Sequence, residues 1–351
     1  GRNLFRNYIH TALLLRVPYN ELVMEMLTAT TRSNWESPGS NYLARCHVDG
    51  AGDGNLINHE DTIEEIILRS SKNFLGINLE CVSCHDGAGH LEKINLWLSR
   101  RKRQEFWQQA SFFGDIRIFR PFGIDQEYAV SKAAHQFDME YPSVKRIARY
   151  KTDTTPTFLL NGAKVEPREN PRHAYARMLT SHPQFARATV NLMWAEMMGV
   201  GIVDPPFEFD LDRQDPKNPP PGPWTIQPTH PKLLEALAKD FVAKNYDLRY
   251  IIKLIAKSSA YQLSWEFHGD WKPDYASYFA RHFARRLSAE QLYDGIAQAT
   301  GVFTEIPIGG TTQKVKYAMQ AHGPSDFPGE VRIFLAGMGQ SNRDLKLKSL
   351  T

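Results

Sequence analysis

Cys81-Val82-Ser83-Cys84-His85 is the stretch around which the rest of this sequence is interpreted, because it has the Cys-x-x-Cys-His spacing of a c-type haem attachment site. Residues i and i+3 of one helical turn share a face, so both thiols can bond to the vinyl groups of one porphyrin edge. The adjoining imidazole of His85 is then placed to bind the haem iron as its proximal ligand. The motif therefore predicts one covalently bound haem c.

The small number of cysteines argues against other sites that a Cys-x-x-Cys pair can form. The chain has three cysteines, and Cys46 lies far from the pair. Structural zinc sites and iron–sulfur clusters need a fuller set of Cys or His ligands. A thioredoxin-like redox motif belongs to a strand–helix unit, and no such pattern precedes Cys81. A surface disulfide with an incidental histidine is the remaining alternative, and we expect Cys46 to be a buried free thiol.

Composition and charge are those of an ordinary globular protein. Of the 351 residues, 42% are hydrophobic and 23% are charged. The net charge of +3 comes from 42 basic and 39 acidic residues and predicts no nucleic-acid partner. The one basic run, Arg100-Arg101-Lys102-Arg103, is more typical of a solvated helix face. Because no apolar run reaches the about 18 residues of a transmembrane helix, we expect no membrane span.

The expected location follows from the haem prediction. Covalent haem attachment is normally completed outside the cytoplasm, and the chain begins at Gly1 rather than Met, as a processed product does. We therefore expect a periplasmic or extracellular protein whose leader has been removed.

The sequence pattern predicts a mainly α-helical fold that begins with a haem-bearing helical domain over residues 1–150. An apolar stripe predicts a helix up to Leu75, with Asp61 and Glu64 at the spacing of a capping box. After the motif, a second helix is predicted from Leu91 to Phe113. The apolar and aromatic residues of these helices are the candidates for lining a haem pocket.

A small antiparallel β element is predicted between this domain and a second one. Ile116 and Ile118 alternate with polar neighbours, as in a strand. Asn161-Gly162 is a hairpin turn signal between two short apolar runs.

Residues 151–351 are predicted to form a second helical domain. Pro183 opens a helix that Gly199 ends, Asp247 caps another, and Ser288 begins a third. Residues 204–231 contain nine prolines and exclude regular helix. We expect this proline-rich segment to be an ordered surface wrap or a mobile loop.

The far side of the iron has no ligand fixed by the motif. His47 and His135 lie in polar segments and are the leading candidates for the distal position. His90 is a further candidate, although a five-residue turn seldom carries a side chain from His85 to the opposite haem face. The predicted lining of the haem pocket is aromatic and apolar and consists of Phe74, Leu79, Trp97 and Trp107.

The sequence also carries a set of longer motifs. The first half has a leucine-rich approach to Cys81, an Asp after His85 and an aromatic stretch from Phe106 to Phe113. The second half contains Phe185-Ala186-Arg187-Ala188, Gly199-Val200-Gly201-Ile202-Val203-Asp204-Pro205, His230-Pro231-Lys232-Leu233-Leu234 and Arg285-Arg286-Leu287-Ser288-Ala289-Glu290-Gln291-Leu292. Together these motifs resemble a planctomycete-type family of cytochrome-associated proteins built from two consecutive domains of unknown function, the first with a Cys-x-x-Cys-His haem c motif.

The resemblance covers nearly the whole chain and implies no established activity. Two positions depart from the family pattern. Many members follow Cys-His-Asp with His-Pro, where this chain has Gly87-Ala88. Many also have arginine after the asparagine of the second domain, where this chain has Leu192.

Three functions are compatible with the sequence. The first is an extracytoplasmic monohaem c-type cytochrome that transfers electrons to or from a redox partner protein, or along a self-association of identical chains. The second is a haem enzyme that acts on peroxide or another small oxidant. The third is a structural or interaction protein in which haem acts as a covalent staple.

Overall fold

The computed structural model describes residues 2–48, 56–120, 127–132, 143, 145–147, 153–308, 311–321 and 326–339. Within these ranges the chain is mainly helical and has small two-stranded antiparallel sheets, which confirms the predicted fold class. None of the described helices is both long and apolar enough to cross a membrane.

The helices are interrupted by two small sheets, one between α6 and α7 and one between α11 and α12. The helices are α1 (Arg2–Leu14), α2 (Tyr19–Thr28), α3 (Asn41–Ala44), α4 (Leu56–Leu75), α5 (Leu96–Ser99), α6 (Arg103–Ala110), α7 (Pro171–Ser181), α8 (Pro183–Met198), α9 (Pro231–Ala243), α10 (Leu248–Ala256), α11 (Ala289–Thr300) and α12 (Gly329–Gly337). The strands are β1 (Ile116–Phe119), β2 (Ala129–Lys132), β3 (Ile306–Pro307) and β4 (Lys314–Val315). The chain divides into two compact units, one from Tyr8 to His282 and one that combines Arg2–Asn7 with the chain from Phe283 onward.

In the unit from Tyr8 to His282, helices from both halves of the chain share one core. Helix α2 packs on α7, and α4 packs on α6 and α8. Tyr175 is fully buried at the centre, where its ring contacts Phe112, Phe113 and Phe158. Its hydroxyl forms a 2.8 Å hydrogen bond with Ser70 of α4, which satisfies the one polar atom of this ring.

The helix boundaries with strong local signals are confirmed. Helix α8 begins at Pro183 and ends before Gly199, whose φ of 86° is the left-handed conformation that glycine adopts without strain. The Asp247 carboxylate accepts hydrogen bonds from the first N–H groups of α10. Ser288 and Gln291 form a reciprocal capping box at the start of α11.

The predicted helix from Leu91 to Phe113 is wrong in its first half. Its residues form the four-residue helix α5 and, after a break, α6. The side chain of Asn95 caps α5 by accepting from the N–H of Leu98 at 2.9 Å, which starts a new helix at this point.

The small sheets agree in part with the predicted β element. Strand β1 contains Ile116 and Ile118 as predicted, and it pairs antiparallel with β2 in a register that places Ile116 opposite Lys132. The turn at Asn161-Gly162 closes a single antiparallel bridge between Thr157 and Lys164 rather than a full hairpin.

The proline-rich segment 204–231 is an ordered wrap and not a mobile loop. Phe209 is fully buried, and the Asp210 carboxylate accepts hydrogen bonds from the N–H groups of Leu96 at 2.7 Å and Trp97 at 3.0 Å. The segment therefore supplies the acceptors that the free N–H groups at the start of α5 require.

The unit that contains Phe283 and the following chain has its own small core. Helices α11 and α12 pack together over a short turn. The buried side chains of this core are Ala289, Ile306, Ala318, Ala321, Phe327, Val331 and Leu335.

Candidate functional site

The Cys-x-x-Cys-His motif forms one helical turn shortly after the end of α4. The N–H of Cys84 and the N–H of His85 both donate to the carbonyl of Cys81, at 3.0 Å and 3.2 Å. Cys81 is exposed, and Cys84 and His85 are partly exposed, whereas Val82 and Ser83 are buried. The two thiols and the imidazole of the turn thus face outward. The two residues between the cysteines, Val82 and Ser83, face inward and contact the rest of the protein.

Two arginines hold the turn through Ser83. The carbonyl of Ser83 accepts a 3.0 Å hydrogen bond from Nε of Arg103, and its hydroxyl accepts a 3.1 Å bond from Nε of Arg146. The Ser83 hydroxyl also donates to the carbonyl of Glu80 at 2.7 Å. The Arg103 guanidinium lies 4.6 Å from the ring centre of Trp107, a cation–π contact that fixes its position.

Burial of Arg103 corrects the prediction that the basic run is a solvated helix face. Its neighbours do lie nearer the surface, where Arg100 pairs with Asp212 and Arg101 with Glu105, each at 2.9 Å. Arg103 instead points inward to the motif, with 9% of its surface exposed. Charge and spacing in the sequence give no signal that separates this arginine from the others.

Arg146 joins the turn to a buried set of carboxylates on α4. Its guanidinium lies 2.6 Å from Glu65, 3.2 Å from Glu64 and 3.6 Å from Asp61. The capping box predicted from Asp61 and Glu64 is therefore wrong, because α4 begins before them and both side chains are buried. Buried carboxylates require such a partner, since an isolated charge in the interior is costly.

The segment after His85 is fixed as tightly as the turn itself. The carboxylate of Asp86 accepts from the N–H of Arg103 at 2.8 Å, at the start of α6. The N–H of Gly87 donates to the carbonyl of Arg101 at 2.8 Å, and a Cβ on Gly87 would lie only 1.9 Å from the carbonyl oxygen of Leu98. A side chain at position 87 would therefore not fit against this backbone.

One hydrogen bond assigns the tautomer of the neutral His85 ring. Its Nδ1 lies 2.7 Å from the carbonyl oxygen of Asp86. Because a carbonyl can only accept, the proton of the neutral ring is assigned to Nδ1, and Nε2 keeps its lone pair. A metal-binding imidazole is typically oriented in this way by a backbone carbonyl.

The electrostatics of the cysteines distinguish between their possible roles. Partial burial and the carboxylates of Glu80 and Glu208 raise the pKa of the Cys81 thiol. Thiol–disulfide oxidoreductases need the opposite shift, since the thiolate is the nucleophile. Both motif cysteines are free, and Cys46 is a buried free thiol as predicted, with a pKa raised to about 12 by burial.

The structure places the distal-ligand candidates apart from one another. The ring of His90 lies 4.3 Å from that of His85, centre to centre, so the two imidazoles stand side by side without space for an iron between them. The ring of His47 packs edge-on against Tyr128 at 5.5 Å. His135 lies outside the described residues. The two described candidates thus have different ring partners, and the identity of the distal ligand stays a prediction.

All four predicted pocket residues are buried. Phe74 packs against Tyr42 at 5.2 Å in the helical core, and the guanidinium of Arg101 covers Trp97 at 5.0 Å. Leu79 and Trp107 are the two that adjoin the turn, through the backbone of Ser83 and through Arg103. Two of the four predicted pocket residues thus lie next to the turn and support it.

Two clefts elsewhere on this unit are lined by other residues. One of about 410 Å³ lies where the 161–166 turn meets the junction of α7 and α8, and one of about 230 Å³ lies between α6 and residues 157–162.

Across the described ranges, no group of three or more His, Cys, Asp or Glu side chains is arranged to hold a metal ion. The chemistry of Cys81, Cys84 and His85 fits a group attached by covalent bonds at the surface.

Comparison with known proteins gives two consecutive family matches. Residues 1–117 match the model described as PSCyt2, protein of unknown function (DUF1549), and residues 171–343 match PSD1, protein of unknown function (DUF1553). The first match contains the motif, and the second contains the whole proline-rich segment and helices α7 to α12. No curated protein and no solved structure matches the chain. The predicted order of two domains of unknown function is confirmed, whereas the predicted domain boundary at residue 150 stays a prediction.

Proposed function

We propose that this chain, which consists of a DUF1549 domain followed by a DUF1553 domain, is an extracytoplasmic monohaem c-type cytochrome that transfers electrons. The observation that carries the proposal is the helical turn in which Cys81, Cys84 and His85 all face outward. The Nδ1 hydrogen bond of His85 supports the proposal further, because it leaves Nε2 available for iron.

Attachment of the haem needs only the two thiols. The thiols of Cys81 and Cys84 would hold the haem through thioether bonds, each S–H adding across one vinyl C=C bond so that sulfur bonds to one carbon and hydrogen to the other. The exposed thiol of Cys81 and the partly exposed thiol of Cys84 are accessible for this addition without opening the core. The bound haem would supply one-electron redox chemistry.

The protein's contribution is to hold the turn rigid. Arg103 and Arg146 anchor Ser83, and Asp86 and Gly87 fix the chain on the other side of His85. Such fixed supports keep the proximal ligand in one orientation, which is how a protein tunes its metal. A haem at the surface exchanges electrons with a close neighbour, so the partner is a redox protein or another copy of this chain. A periplasmic or extracellular location belongs to the same proposal.

The test is expression with export and a haem c maturation system, followed by denaturing electrophoresis with haem staining and intact-mass measurement. We expect one covalent haem in the wild type and in Cys46→Ala, which removes the cysteine outside the motif. Cys81→Ala and Cys84→Ala should each disturb attachment. A wild type without covalent haem would refute the proposal.

The electron-transfer role is tested separately from attachment. Visible spectra of the oxidised and reduced protein, with and without carbon monoxide, report whether the sixth position of the iron is available. Reversible reduction without carbon monoxide binding supports electron transfer. Rapid carbon monoxide binding contradicts electron transfer and favours an enzyme that acts on peroxide or another small oxidant. A haem that resists reduction also contradicts electron transfer and favours a structural staple.

A further inference from the structure

The second domain contacts the approach to the motif at Gly76. Gly76 ends α4 with a φ of 67°, and its carbonyl accepts a 3.0 Å hydrogen bond from the N–H of Phe209. A Cβ on Gly76 would lie 2.7 Å from the Phe209 ring. The buried ring of Phe209 is therefore packed directly on the backbone where the chain leaves α4 for the motif.

A second contact reaches the residue next to Cys81. The Glu208 carboxylate accepts a 3.1 Å hydrogen bond from Nδ2 of Asn78, and Oδ1 of Asn78 accepts a 3.2 Å bond from the N–H of Glu80. Two hydrogen bonds in series thus connect Glu208 to Glu80, the residue directly before the turn. Glu208 is also close enough to Cys81 to raise the pKa of its thiol.

The same short segment supports the other side of the motif. The carbonyl of Phe209 accepts from Nδ2 of Asn95 at 3.1 Å, and Asp210 caps α5. Helix α5 leads into the backbone of Leu98 and Arg101, against which Gly87 is packed. Residues 208–210 therefore contact the segment before the turn. They also cap α5, the helix on whose backbone the segment after the turn is packed.

We infer that residues 208–210 of the DUF1553 domain are positioning residues of the Cys-x-x-Cys-His turn in the DUF1549 domain, so that the turn is correctly presented only when both domains are present. For haem this inference rests on the proposed function. For the conformation and reactivity of the thiols it stands on the hydrogen bonds and packing alone. It gives the DUF1553 domain a role in the site, namely to set how the attachment turn is displayed.

The experiment measures thiol reactivity in the full-length, haem-free chain. Cys81 and Cys84 are alkylated with iodoacetamide at pH 8, and each rate is followed by mass spectrometry of the peptides. Glu208→Ala should raise the Cys81 rate, because it removes a carboxylate that raises the pKa of this thiol and so increases the thiolate fraction. Glu208→Gln, which keeps a hydrogen-bond acceptor but no charge, should raise the Cys81 rate while leaving the Cys84 rate at its wild-type value.

Phe209→Ala should raise the Cys84 rate at least about threefold, because the turn loses its support and opens more often. The matched control is Phe207→Ala, since the described contact of Phe207 is with Lys72 at 5.8 Å and not with the motif approach. Should Phe209→Ala fail to fold, Asn78→Ala tests the inference from the first domain, because it breaks the hydrogen bond of Asn78 to Glu208. Equal rates in wild type, Phe209→Ala, Asn78→Ala and Phe207→Ala would overturn the inference.

The haem yield of the same variants separates this inference from the proposed function. A wild type that takes up haem, together with a Phe209→Ala variant that takes up markedly less than Phe207→Ala, supports both. A wild type without haem refutes the proposed function, while the alkylation rates still decide the inference. A Phe209→Ala variant with the haem yield and alkylation rates of Phe207→Ala refutes the inference alone.

Discussion

Asp210→Asn is the substitution whose effect the structure defines most closely. The Asp210 side chain has 1% of its surface exposed. One carboxylate oxygen accepts from the N–H groups of Trp97 at 3.0 Å and Asp212 at 3.2 Å, and the other accepts from Leu96 at 2.7 Å. Asparagine has the same size, but it has only one acceptor oxygen and no charge. One of the three backbone N–H groups must therefore face the NH₂ group of the asparagine, which cannot accept its hydrogen bond.

The magnitude follows from two contributions. A buried N–H that loses its acceptor costs about 1–3 kcal/mol. The two hydrogen bonds that remain lose their charge assistance, which lowers their contribution by about 1 kcal/mol in total. We therefore expect the free energy of unfolding to fall by about 3 kcal/mol.

Urea unfolding followed by circular dichroism measures this loss. The control is Asp212→Asn, two residues further along, because Asp212 forms a partly exposed ion pair with Arg100 at 2.9 Å. Such surface pairs contribute about 0–1 kcal/mol. A loss for Asp210→Asn no larger than that of Asp212→Asn would refute the account of the Asp210 cap.

Three further predictions concern other buried groups. Asn191 forms two hydrogen bonds of 2.8 Å with the backbone N–H and C=O of Val203, so Asn191→Asp should lower the free energy of unfolding in urea by about 3 kcal/mol. Burial lowers the pKa of His182, so the unfolded chain binds more protons, and stability should fall as the pH drops below about 6.5. His182→Asn, which keeps a capping acceptor, should flatten this pH dependence in urea titrations between about pH 7 and 5. Iodoacetamide at pH 8 should alkylate Cys46 at least about a hundredfold more slowly than Cys81 in the haem-free chain, as measured by mass spectrometry.

Each of these predictions has its own control. Asn161→Asp changes an exposed turn residue and should leave stability nearly unchanged. Equal pH dependence in wild type and His182→Asn would contradict the assigned role of His182. In concentrated urea the thiols of Cys46 and Cys81 should react at similar rates, and similar rates in the folded chain would contradict the burial of Cys46.

Local signals in the sequence predict the second half of the fold well. Helix α8 begins and ends where Pro183 and Gly199 place it, and Ser288 with Gln291 starts α11. These boundaries depend on the conformation of one residue or on hydrogen bonds within one turn. Neighbouring residues therefore carry all the information that is needed.

The supports of the candidate site depend on contacts between distant segments, and the sequence pattern misassigned them. Asp61 and Glu64 have the spacing of a cap but are buried against Arg146, which lies more than 80 residues along the chain. Arg103 belongs to a charged run and is nevertheless buried. Tertiary contacts of this kind override local preference. Outward display of Cys81, Cys84 and His85 agrees with the motif, whereas nothing near them in sequence identifies Arg103 or Arg146.

The inward orientation of Val82 and Ser83 has a consequence for protein engineering. The Cys-x-x-Cys-His motif itself specifies no residue at its two middle positions. In this protein those two positions are the ones that connect the turn to its host, through the buried Val82 side chain and the hydrogen bonds of Ser83 to Arg103 and Arg146. A library randomised at positions 82 and 83 should therefore yield few stable clones, and a transplanted pentapeptide keeps its shape only if both arginines are transplanted with it.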